Sequence, residues 1–268
     1  MTEARGLSTV RAMQIRGSRI LLTGASGGLG EAIALELARR RAELVLTARR
    51  AELLEDLARR TGGEVVVADL SVAADVDRVT EDALGCDVIV LNAGIGGDGI
   101  VDEATPEGID QVLDVNLRAP IQTAVAFAQH KLAERSPGHI VLVGSLSGVA
   151  PTPNTFMYNA TKFGLRGFAH SLGQDLDGTP VGLTLVAPGF IRDAGMFHDN
   201  DMDLPPGVRT KSPQDVADAV VRGIEHGDRE VYVAPPELRA MASFAGLAPG
   251  LAARVQKLAG VSERTARR

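Results

Sequence analysis

Short apolar runs rich in β-branched residues recur along the chain and alternate with longer segments of helical periodicity. Seven such runs predict strands, at residues 19–22, 43–47, 64–68, 87–91, 139–143, 182–186 and 230–233. The segments between them space apolar residues three or four positions apart, as with Leu29, Ile33 and Leu37, and suit crossover helices. Strands that are apolar throughout indicate a parallel sheet covered on both faces. The pattern predicts a single α/β domain with a doubly wound, parallel, seven-stranded sheet.

The two ends of the chain lack this alternation. We expect residues 1–17 to form an N-terminal extension, residues 18–234 the main domain, and residues 235–268 a C-terminal helical extension. Pro249-Gly250 divides the last segment, whose apolar positions are Met241, Phe244, Leu247, Leu251, Val255 and Leu258. These positions are expected to pack on the body or on a neighbouring subunit, with contact to a membrane surface as a weaker alternative because the last residues are basic.

One helix start is marked unusually well. Ser212 can act as N-cap, Pro213 fits the first helical position, and Asp215 is placed to reach back to the cap. The sequence predicts a helix from there to about His226.

Composition and charge argue against several classes of function. The net charge of −6 argues against nucleic-acid binding, and no stretch reaches the ~20 apolar residues of a membrane span. Five scattered histidines and the single Cys86, in an apolar run, give no metal-ligand spacing. We therefore expect a cytoplasmic protein with no metal, no membrane span and no nucleic-acid partner.

A glycine-rich turn follows the first predicted strand and leads directly into a helix. Glycines there permit a tight turn, let the main chain approach a pyrophosphate, and leave the helix N-terminus facing negative charge. A glycine-rich turn between a strand and a helix is a more specific sign of a dinucleotide site than a glycine run alone. The predicted dinucleotide contacts in this turn are Thr23, Gly24, Ser26, Gly27, Gly28, Leu29 and Gly30.

The second predicted strand ends at Thr47-Ala48-Arg49-Arg50, where NAD-binding folds usually place an acidic side chain for the ribose 2′-hydroxyl. An arginine suits a 2′-phosphate instead, because its planar donors match phosphate oxygens. Arg49 therefore predicts NADP(H) in preference to NAD(H). The alternative is that Arg49 and Arg50 only solvate the start of a helix.

Tyr158 and Lys162 lie one helical turn apart in Tyr158-Asn159-Ala160-Thr161-Lys162, on the same face. A free tyrosine, with a pKa near 10, is a poor base at neutral pH, and a nearby cation favours the phenolate. Ser145 stands at the end of the fifth predicted strand, the sheet edge where ligands gather. The three residues predict proton-transfer chemistry at that edge.

Together with Asn92-Ala93-Gly94, Asn116 and Pro188-Gly189, these motifs resemble, in order and spacing, the short-chain dehydrogenase/reductase family over about residues 18–234. The resemblance implies a Rossmann-like, NAD(P)-binding catalytic domain. It also implies a homodimer or homotetramer built through the helices that carry Asn116 and Tyr158.

The resemblance also assigns roles. Tyr158 would be the acid/base, Lys162 would lower its pKa and bind the nicotinamide ribose, Ser145 would orient the substrate oxygen, and Asn116 would hold a water in a proton relay. The remaining implied cofactor contacts are Asp69, Leu70, Asn92, Ala93, Gly94, Pro188, Gly189 and Ile191. On local chemistry alone, Asp69 equally suits a turn before Ser71. Asp193 departs from the family, which often has a threonine that contacts the cofactor at this position.

We expect an oxidoreductase that interconverts a small, hydrophobic ketone or aldehyde and its alcohol. A lid at residues 190–211, with Met196, Phe197 and Met202, is expected to face Leu146, Thr152 and Phe156 across the substrate. The alternative is that these apolar loop residues only pack on the domain. Two alternatives remain: a reductase of carrier-bound 3-oxoacyl chains, and a non-catalytic NADP(H)-binding redox sensor. Intact Ser145, Tyr158 and Lys162 argue against the sensor.

Overall fold

The computed structural model, which describes residues 12–96, 101–193 and 209–258, contains seven strands in one parallel sheet. The strands are β1 (Arg19–Thr23), β2 (Glu43–Ala48), β3 (Glu64–Val67), β4 (Val88–Leu91), β5 (Gly138–Val143), β6 (Val181–Pro188) and β7 (Glu230–Val233). Their order is β3-β2-β1-β4-β5-β6-β7. The doubly wound, Rossmann-like sheet and its seven strands are confirmed. The strand ends differ from the predicted bounds by at most two residues.

Nine α-helices lie within the described ranges. They are α1 (Gly28–Arg39), α2 (Ala51–Thr61), α3 (Ala73–Leu84), α4 (Pro106–Leu113), α5 (Ala119–Glu134), α6 (Phe156–Asp175), α7 (Pro213–His226), α8 (Pro236–Leu247) and α9 (Pro249–Leu258). A π-helical turn, Asp114–Arg118, joins α4 to α5. Short 3₁₀ turns cover Val101–Glu103 and Leu146–Gly148. None of the described helices is long and apolar enough to cross a membrane.

The hydrophobic core has one layer on each face of the sheet. On one face, Ile33 of α1, Leu54 of α2 and Val220 of α7 pack against the strands. On the other, Val79 of α3 and Phe127 of α5 are fully buried with their neighbours. All the strands run parallel, so their carboxyl ends lie at the same edge of the sheet. The strand order changes direction between β1 and β4. That edge is where the candidate site residues converge.

The start of α7 follows the predicted capping. The Ser212 hydroxyl accepts from the main-chain N–H of Asp215, while the Asp215 carboxylate accepts from the main-chain N–H of Ser212, at 2.8 Å. Gly227, with φ +68°, ends the helix in the left-handed region. This capping box fixes α7 against α1 and the back of the sheet.

Two helices separated at Pro249 occupy residues 236–258. Ala242 and Ala245 face inward and are buried, whereas Met241, Phe244 and Leu247 are exposed on α8. Within the described single chain these three positions stay largely exposed, and packing on a neighbouring subunit or contact with a membrane surface stays a prediction. The side chains of Val255 and Leu258 lie outside the described part, as do residues 1–11, 97–100, 194–208 and 259–268, which include Met196, Phe197 and Met202 of the expected lid.

Candidate active site

The glycine loop connects β1 to α1 at the carboxyl edge of the sheet. Gly27 is the N-cap of α1, and no side chain caps the helix. A side chain at Gly30 cannot be accommodated, because its Cβ would lie 2.1 Å from the carbonyl oxygen of Gly24. Leu29 points partly into the core. The loop is therefore folded tightly on itself, with its amides at the helix N-terminus.

Thr23 and Asn92 join the ends of β1 and β4. The Thr23 hydroxyl accepts from the main-chain N–H groups of Asn92 and Ala93, at 3.1 Å each. The Asn92 amide donates to the carbonyls of Thr23 and Gly24, at 3.1 and 3.2 Å. These bonds hold the glycine loop against the loop that continues to Gly94.

The end of β2 brings two arginines near the glycine loop. The Arg50 guanidinium donates to the main-chain carbonyl of Ser26, at 2.6 Å. The Arg49 guanidinium lies 3.9 Å from the Asp69 carboxylate; the Arg49 side chain is more than half exposed, and that of Asp69 is about one-third exposed. Arg50 therefore contacts the loop directly, while Arg49 is the more loosely held of the two.

Asp69 forms the turn that its local chemistry predicts. Its carboxylate accepts from the main-chain N–H of Ser71 at 2.9 Å and from the Ser71 hydroxyl at 2.8 Å. The N–H of Ser71 does most to hold the pKa of Asp69 below its ordinary value. Leu70, beside it, packs partly against the core. An adenine contact at this turn stays a prediction.

Ser145 lies two residues beyond the end of β5. Its hydroxyl oxygen accepts from the main-chain N–H of Ser147, at 3.1 Å, and so caps the short 3₁₀ turn. That bond uses a lone pair and leaves the hydroxyl hydrogen for another acceptor. Ser145 is therefore oriented as a donor at the sheet edge.

Tyr158 and Lys162 share one face of α6. The Lys162 ammonium is 3% exposed, donates to the carbonyl of Val143 at 3.1 Å, and lies 5.5 Å from the centre of the Tyr158 ring. Burial lowers the pKa of Lys162 to about 8. Because Val143 is the last residue of β5, this bond places the lysine next to the turn that carries Ser145. The Tyr158 ring, the Lys162 ammonium and the turn that carries Ser145 are therefore neighbours.

Gly148 permits this arrangement. A Cβ on Gly148 would lie 2.5 Å from the carbonyl oxygen of Lys162, which is main chain and cannot move aside cheaply. The turn after Ser145 thus packs directly on the helix backbone at Lys162.

Asn116 lies in the π-helical turn and is 1% exposed. Its amide oxygen accepts from the N–H of Ile95 and its amide nitrogen donates to the carbonyl of Ile95, both at 2.8 Å. The amide nitrogen also lies 3.3 Å from the Thr161 hydroxyl. The side chain therefore clamps the strand β4 exit to α6, and a role for Asn116 in a proton relay stays a prediction. π-helical turns occur often at functional sites.

The loop after β6 bends back toward α7. Pro188 ends β6, and the N–H of Gly189 donates to the carbonyl of Val233 at 3.0 Å. Ile191 is buried and pairs with Lys211 in an isolated parallel bridge. Asp193, at the departure from the family pattern, has φ +65° and an exposed side chain 3.3 Å from the Arg192 guanidinium.

An open cavity of about 510 Å³ lies beside the loop between Ser145 and Tyr158. Most of its lining is apolar, from Val101, Pro151, Pro153 and Phe156, and the remainder is Thr152, Asn154 and Asn159. The Asn159 amide donates to the carbonyl of Thr152 at 2.9 Å and so fixes the loop to α6. Of the three residues expected to approach the substrate from this side, Thr152 and Phe156 line the cavity, whereas Leu146 packs under α8.

The residues at this edge fit a nicotinamide dinucleotide. The uncapped first turn of α1 offers main-chain amides to phosphate, and Arg49 and Arg50 add positive charge at the end of β2. Two further Lys162 N–H groups remain beyond the one that binds Val143. No cluster of His, Cys, Asp and Glu among the described residues could hold a metal ion.

Sequence reasoning missed two members of this arrangement. Thr161, fully buried, was not singled out, although a polar β-branched residue between Tyr158 and Lys162 was a visible signal. The contact from Arg50 to the glycine loop was also missed, because only the three-dimensional fold brings residues 26 and 50 together.

Comparison with known proteins agrees with the geometry. Residues 18–204 match the family model described as short chain dehydrogenase. A curated relative, the ketoacyl reductase HetN of a Nostoc species, is 31% identical over 228 residues, which cover 82% of this chain and 79% of that protein.

Solved structures share the fold over most of their length. A short-chain dehydrogenase from Sphingobium yanoikuyae in complex with NADPH is 28% identical, with a TM-score of 0.75 over 88% of this chain and 95% of that one. A bulky-bulky ketone specific alcohol dehydrogenase from Comamonas testosteroni is 25% identical, with a TM-score of 0.72 over 88% and 94%. A Burkholderia phymatum protein in complex with NAD, 24% identical, has the same fold with a TM-score of 0.76 over 89% and 96%. The chain belongs to the short-chain dehydrogenase/reductase family and is an oxidoreductase acting on CH–OH groups.

Proposed function

We propose that this protein uses NADP(H) to interconvert a small, hydrophobic ketone or aldehyde and its alcohol, with Tyr158 as the acid/base. One observation carries the proposal: the Lys162 ammonium is buried between the last carbonyl of β5 and the Tyr158 ring. Burying a charged lysine costs free energy unless the charge is paired with a group that it stabilises. The tyrosine hydroxyl is the group beside it that gains from that charge.

In the direction of reduction, the dihydronicotinamide supplies a hydride to the carbonyl carbon when it is bound. The Tyr158 hydroxyl donates its proton to the carbonyl oxygen and is left as a phenolate. The Lys162 ammonium stabilises that phenolate, and the Ser145 hydroxyl holds the substrate oxygen by donating a hydrogen bond. Asn116 acts as a positioning residue, because its amide fixes α6 against the chain at Ile95.

The choice of NADP(H) rests on the end of β2. Arg49 and Arg50 stand where an acidic side chain would select NAD, and the contact of the Arg49 guanidinium within the described chain is a 3.9 Å ion pair with Asp69. A guanidinium so loosely held is free to turn toward a 2′-phosphate. The NADPH complex of the Sphingobium yanoikuyae relative supports this choice, while the NAD complex of the Burkholderia phymatum structure shows that the same fold also takes the other cofactor.

The preference for a hydrophobic substrate rests on the apolar cavity beside the Ser145–Tyr158 loop. Its walls of proline, valine and phenylalanine favour an apolar group. The ketone specificity named for the Comamonas testosteroni relative supports the same class.

A second candidate is reduction of carrier-bound 3-oxoacyl chains. The observation that favours it is the name of the Nostoc relative, a ketoacyl reductase. Comparing a free 3-oxo thioester with a free apolar ketone of similar size separates the two candidates.

Assembly and location belong to the same proposal. We infer a cytoplasmic homodimer or homotetramer that pairs through α5 and α6. Exposed Leu132 on α5 and Phe163 on α6, at 38% and 41%, support pairing there, because large apolar side chains gain from being covered.

The test of the function is a fluorescence titration of the purified protein with NADPH and with NADH, followed by a panel of apolar ketones and aldehydes. We expect tighter binding of NADPH and oxidation of NADPH by some apolar carbonyl compounds. Binding of neither cofactor would overturn the proposal. Tight NADPH binding with no turnover on ketones, aldehydes or 3-oxo thioesters would favour the redox sensor instead.

A further inference from the structure

Helix α8 has one face against the body and one face with nothing of the described chain upon it. Ala242 and Ala245 are both 6% exposed, and a Cβ on Gly246 would lie 3.1 Å from the carbonyl oxygen of Val149, so small residues bring the helix close to the body. The outer side carries large apolar side chains and continues into α9. Met241, Phe244, Leu247 and Leu251, here called the tail face, are 62, 48, 87 and 52% exposed.

The tail differs in charge from the remainder of the protein. Residues 238–268 contain six basic residues and one acidic residue, whereas the whole chain has a net charge of −6. Arg239 and Arg254 of this segment are exposed, and the Arg239 guanidinium lies 5.1 Å from the centre of the Tyr232 ring. An apolar face flanked by cations is typical of helices that lie in a membrane interface.

The position of α8 links the tail face to the active site. The helix begins three residues beyond the end of β7, at the carboxyl edge of the sheet that also carries Ser145. Leu238 and Ala242 on its inner side pack with Leu146 and Val149, which follow Ser145. The tail face is therefore separated from the loop that carries Ser145 by the thickness of one helix, about 10 Å.

We propose that the tail face docks on an anionic lipid surface, which brings the mouth of the active site to the membrane. A second copy of the chain is the other natural occupant. Twofold pairing would set the same patch against itself and place basic segments side by side, which costs free energy. Anionic headgroups complement the cations while the acyl boundary takes the apolar side chains.

Flotation of the full-length protein with lipid vesicles tests the proposal. The vesicles contain phosphatidylcholine alone, or phosphatidylcholine with about 30% phosphatidylglycerol. We expect wild-type protein to float with the anionic vesicles, to float much less with neutral ones, and to lose binding at about 0.5 M NaCl. Leu247→Asp should lower the bound fraction about tenfold, because an apolar contact is lost and a negative charge is added.

Leu53→Asp is the matched control. Leu53 on α2 is 48% exposed, so its replacement makes the same chemical change far from the tail in sequence, and it should float like wild type. Since Leu247 is almost wholly exposed, its variant should fold normally, which circular dichroism and NADPH binding verify.

Failure of wild type to float, or equal flotation of Leu247→Asp, would overturn the proposal. Flotation that is equal on neutral vesicles would overturn the anionic preference. If wild type does not float and light scattering shows Leu247→Asp to be a smaller assembly, a second copy is the occupant. Flotation needs no turnover, so the result does not depend on the proposed reaction.

Discussion

The two ends of the active site are built from different kinds of groups. At the cofactor end, the glycine loop offers main-chain amides, and the Arg49 side chain is 54% exposed. At the catalytic end, Lys162 and Asn116 are 3% and 1% exposed and are held by bonds to the main chain. Buried polar groups are fixed by their neighbours before any ligand arrives, whereas exposed arginines are ordered by the ligand that they bind.

This difference predicts which property of the protein a substitution at each end will change. A change at the catalytic end should alter chemistry or stability, because its groups are packed and satisfied in the free protein. A change at the exposed cofactor end should alter affinity and leave the fold intact. Four substitutions test this contrast, and they are given in decreasing order of expected effect.

Tyr158→Phe should lower kcat about 10³-fold or more, because the proton donor is lost while the ring and its packing remain. NADPH affinity should stay within a few fold of wild type. Steady-state turnover of an apolar ketone and a fluorescence titration measure the two quantities.

Tyr232→Phe is the control, since Tyr232 is the other tyrosine of the chain. Its hydroxyl accepts from the Arg166 guanidinium at 3.3 Å and has no part in the proposed chemistry, so kcat should stay close to that of wild type. Wild-type turnover in Tyr158→Phe would refute the acid/base assignment.

Gly148→Ala should lower the free energy of unfolding by about 3 kcal/mol, because the new Cβ would overlap the Lys162 carbonyl oxygen. Relief of the overlap moves Lys162, so kcat should fall as well. Urea denaturation and turnover measure both effects.

Gly167→Ala makes the same change on an open face of α6, with nothing within 4 Å of the new Cβ. That variant should be more stable than wild type by up to about 1 kcal/mol, because alanine favours helix. Equal stability of the two variants would show that the turn after Ser145 does not fix Lys162.

The sequence predicted those parts of the fold that local pattern determines. Continuous apolar runs identified all seven strands, and Ser212 with Asp215 identified the start of α7, because strand burial and capping depend on neighbours in sequence. The sixth predicted strand ends at residue 186, two residues before the end of β6, because Ala187 and Pro188 join the sheet only by pairing with β7.

The contacts that the sequence did not predict join residues distant in sequence. Arg50 reaches Ser26 across the sheet edge, and Asn116 binds the Ile95 backbone from a π-helical turn that no periodicity marks. Helical spacing placed the exposed residues of the tail face on one side of the helix, but spacing shows which residues share a face and not what covers that face.

Glu36→Gln tests a buried charge in the last turns of α1, outside the site, that stabilises the fold. Glu36 of α1 is 5% exposed and binds Arg39 at 2.7 and 2.9 Å and Arg40 at 2.8 Å. Arg40 also binds Glu225 of α7 at 2.9 Å, so the cluster joins two helices. The hydrogen bonds from Arg39, then those from Arg40, hold the pKa of Glu36 at about 2 rather than 4.5.

Because the folded pKa is depressed, this stabilisation is present above pH 4.5 and is lost as the pH falls toward 2. Glu36→Gln should therefore lower the free energy of unfolding by about 2 kcal/mol at neutral pH, and the difference from wild type should shrink on acidification. Denaturation series at pH 7 and pH 3 measure this difference, and an unchanged kcat would show that the cluster has no part in the chemistry. If the difference in the free energy of unfolding between wild type and Glu36→Gln is the same at both pH values, the lowered pKa of Glu36 is contradicted.

Arg49→Ala should have the smallest effect and the most selective one. Removal of a guanidinium that meets a 2′-phosphate should weaken NADPH binding about tenfold and leave NADH binding nearly unchanged, since NADH lacks that phosphate. The free energy of unfolding should change little, because the ion pair of Arg49 among the described residues is long, at 3.9 Å, and exposed. Titration of both cofactors into Arg49→Ala and Arg50→Ala separates the two arginines: loss of the contact to Ser26 in Arg50→Ala should weaken both cofactors by loosening the loop. Equal losses of NADPH and NADH in Arg49→Ala would refute the 2′-phosphate assignment and with it the view that the exposed end of the site selects the cofactor.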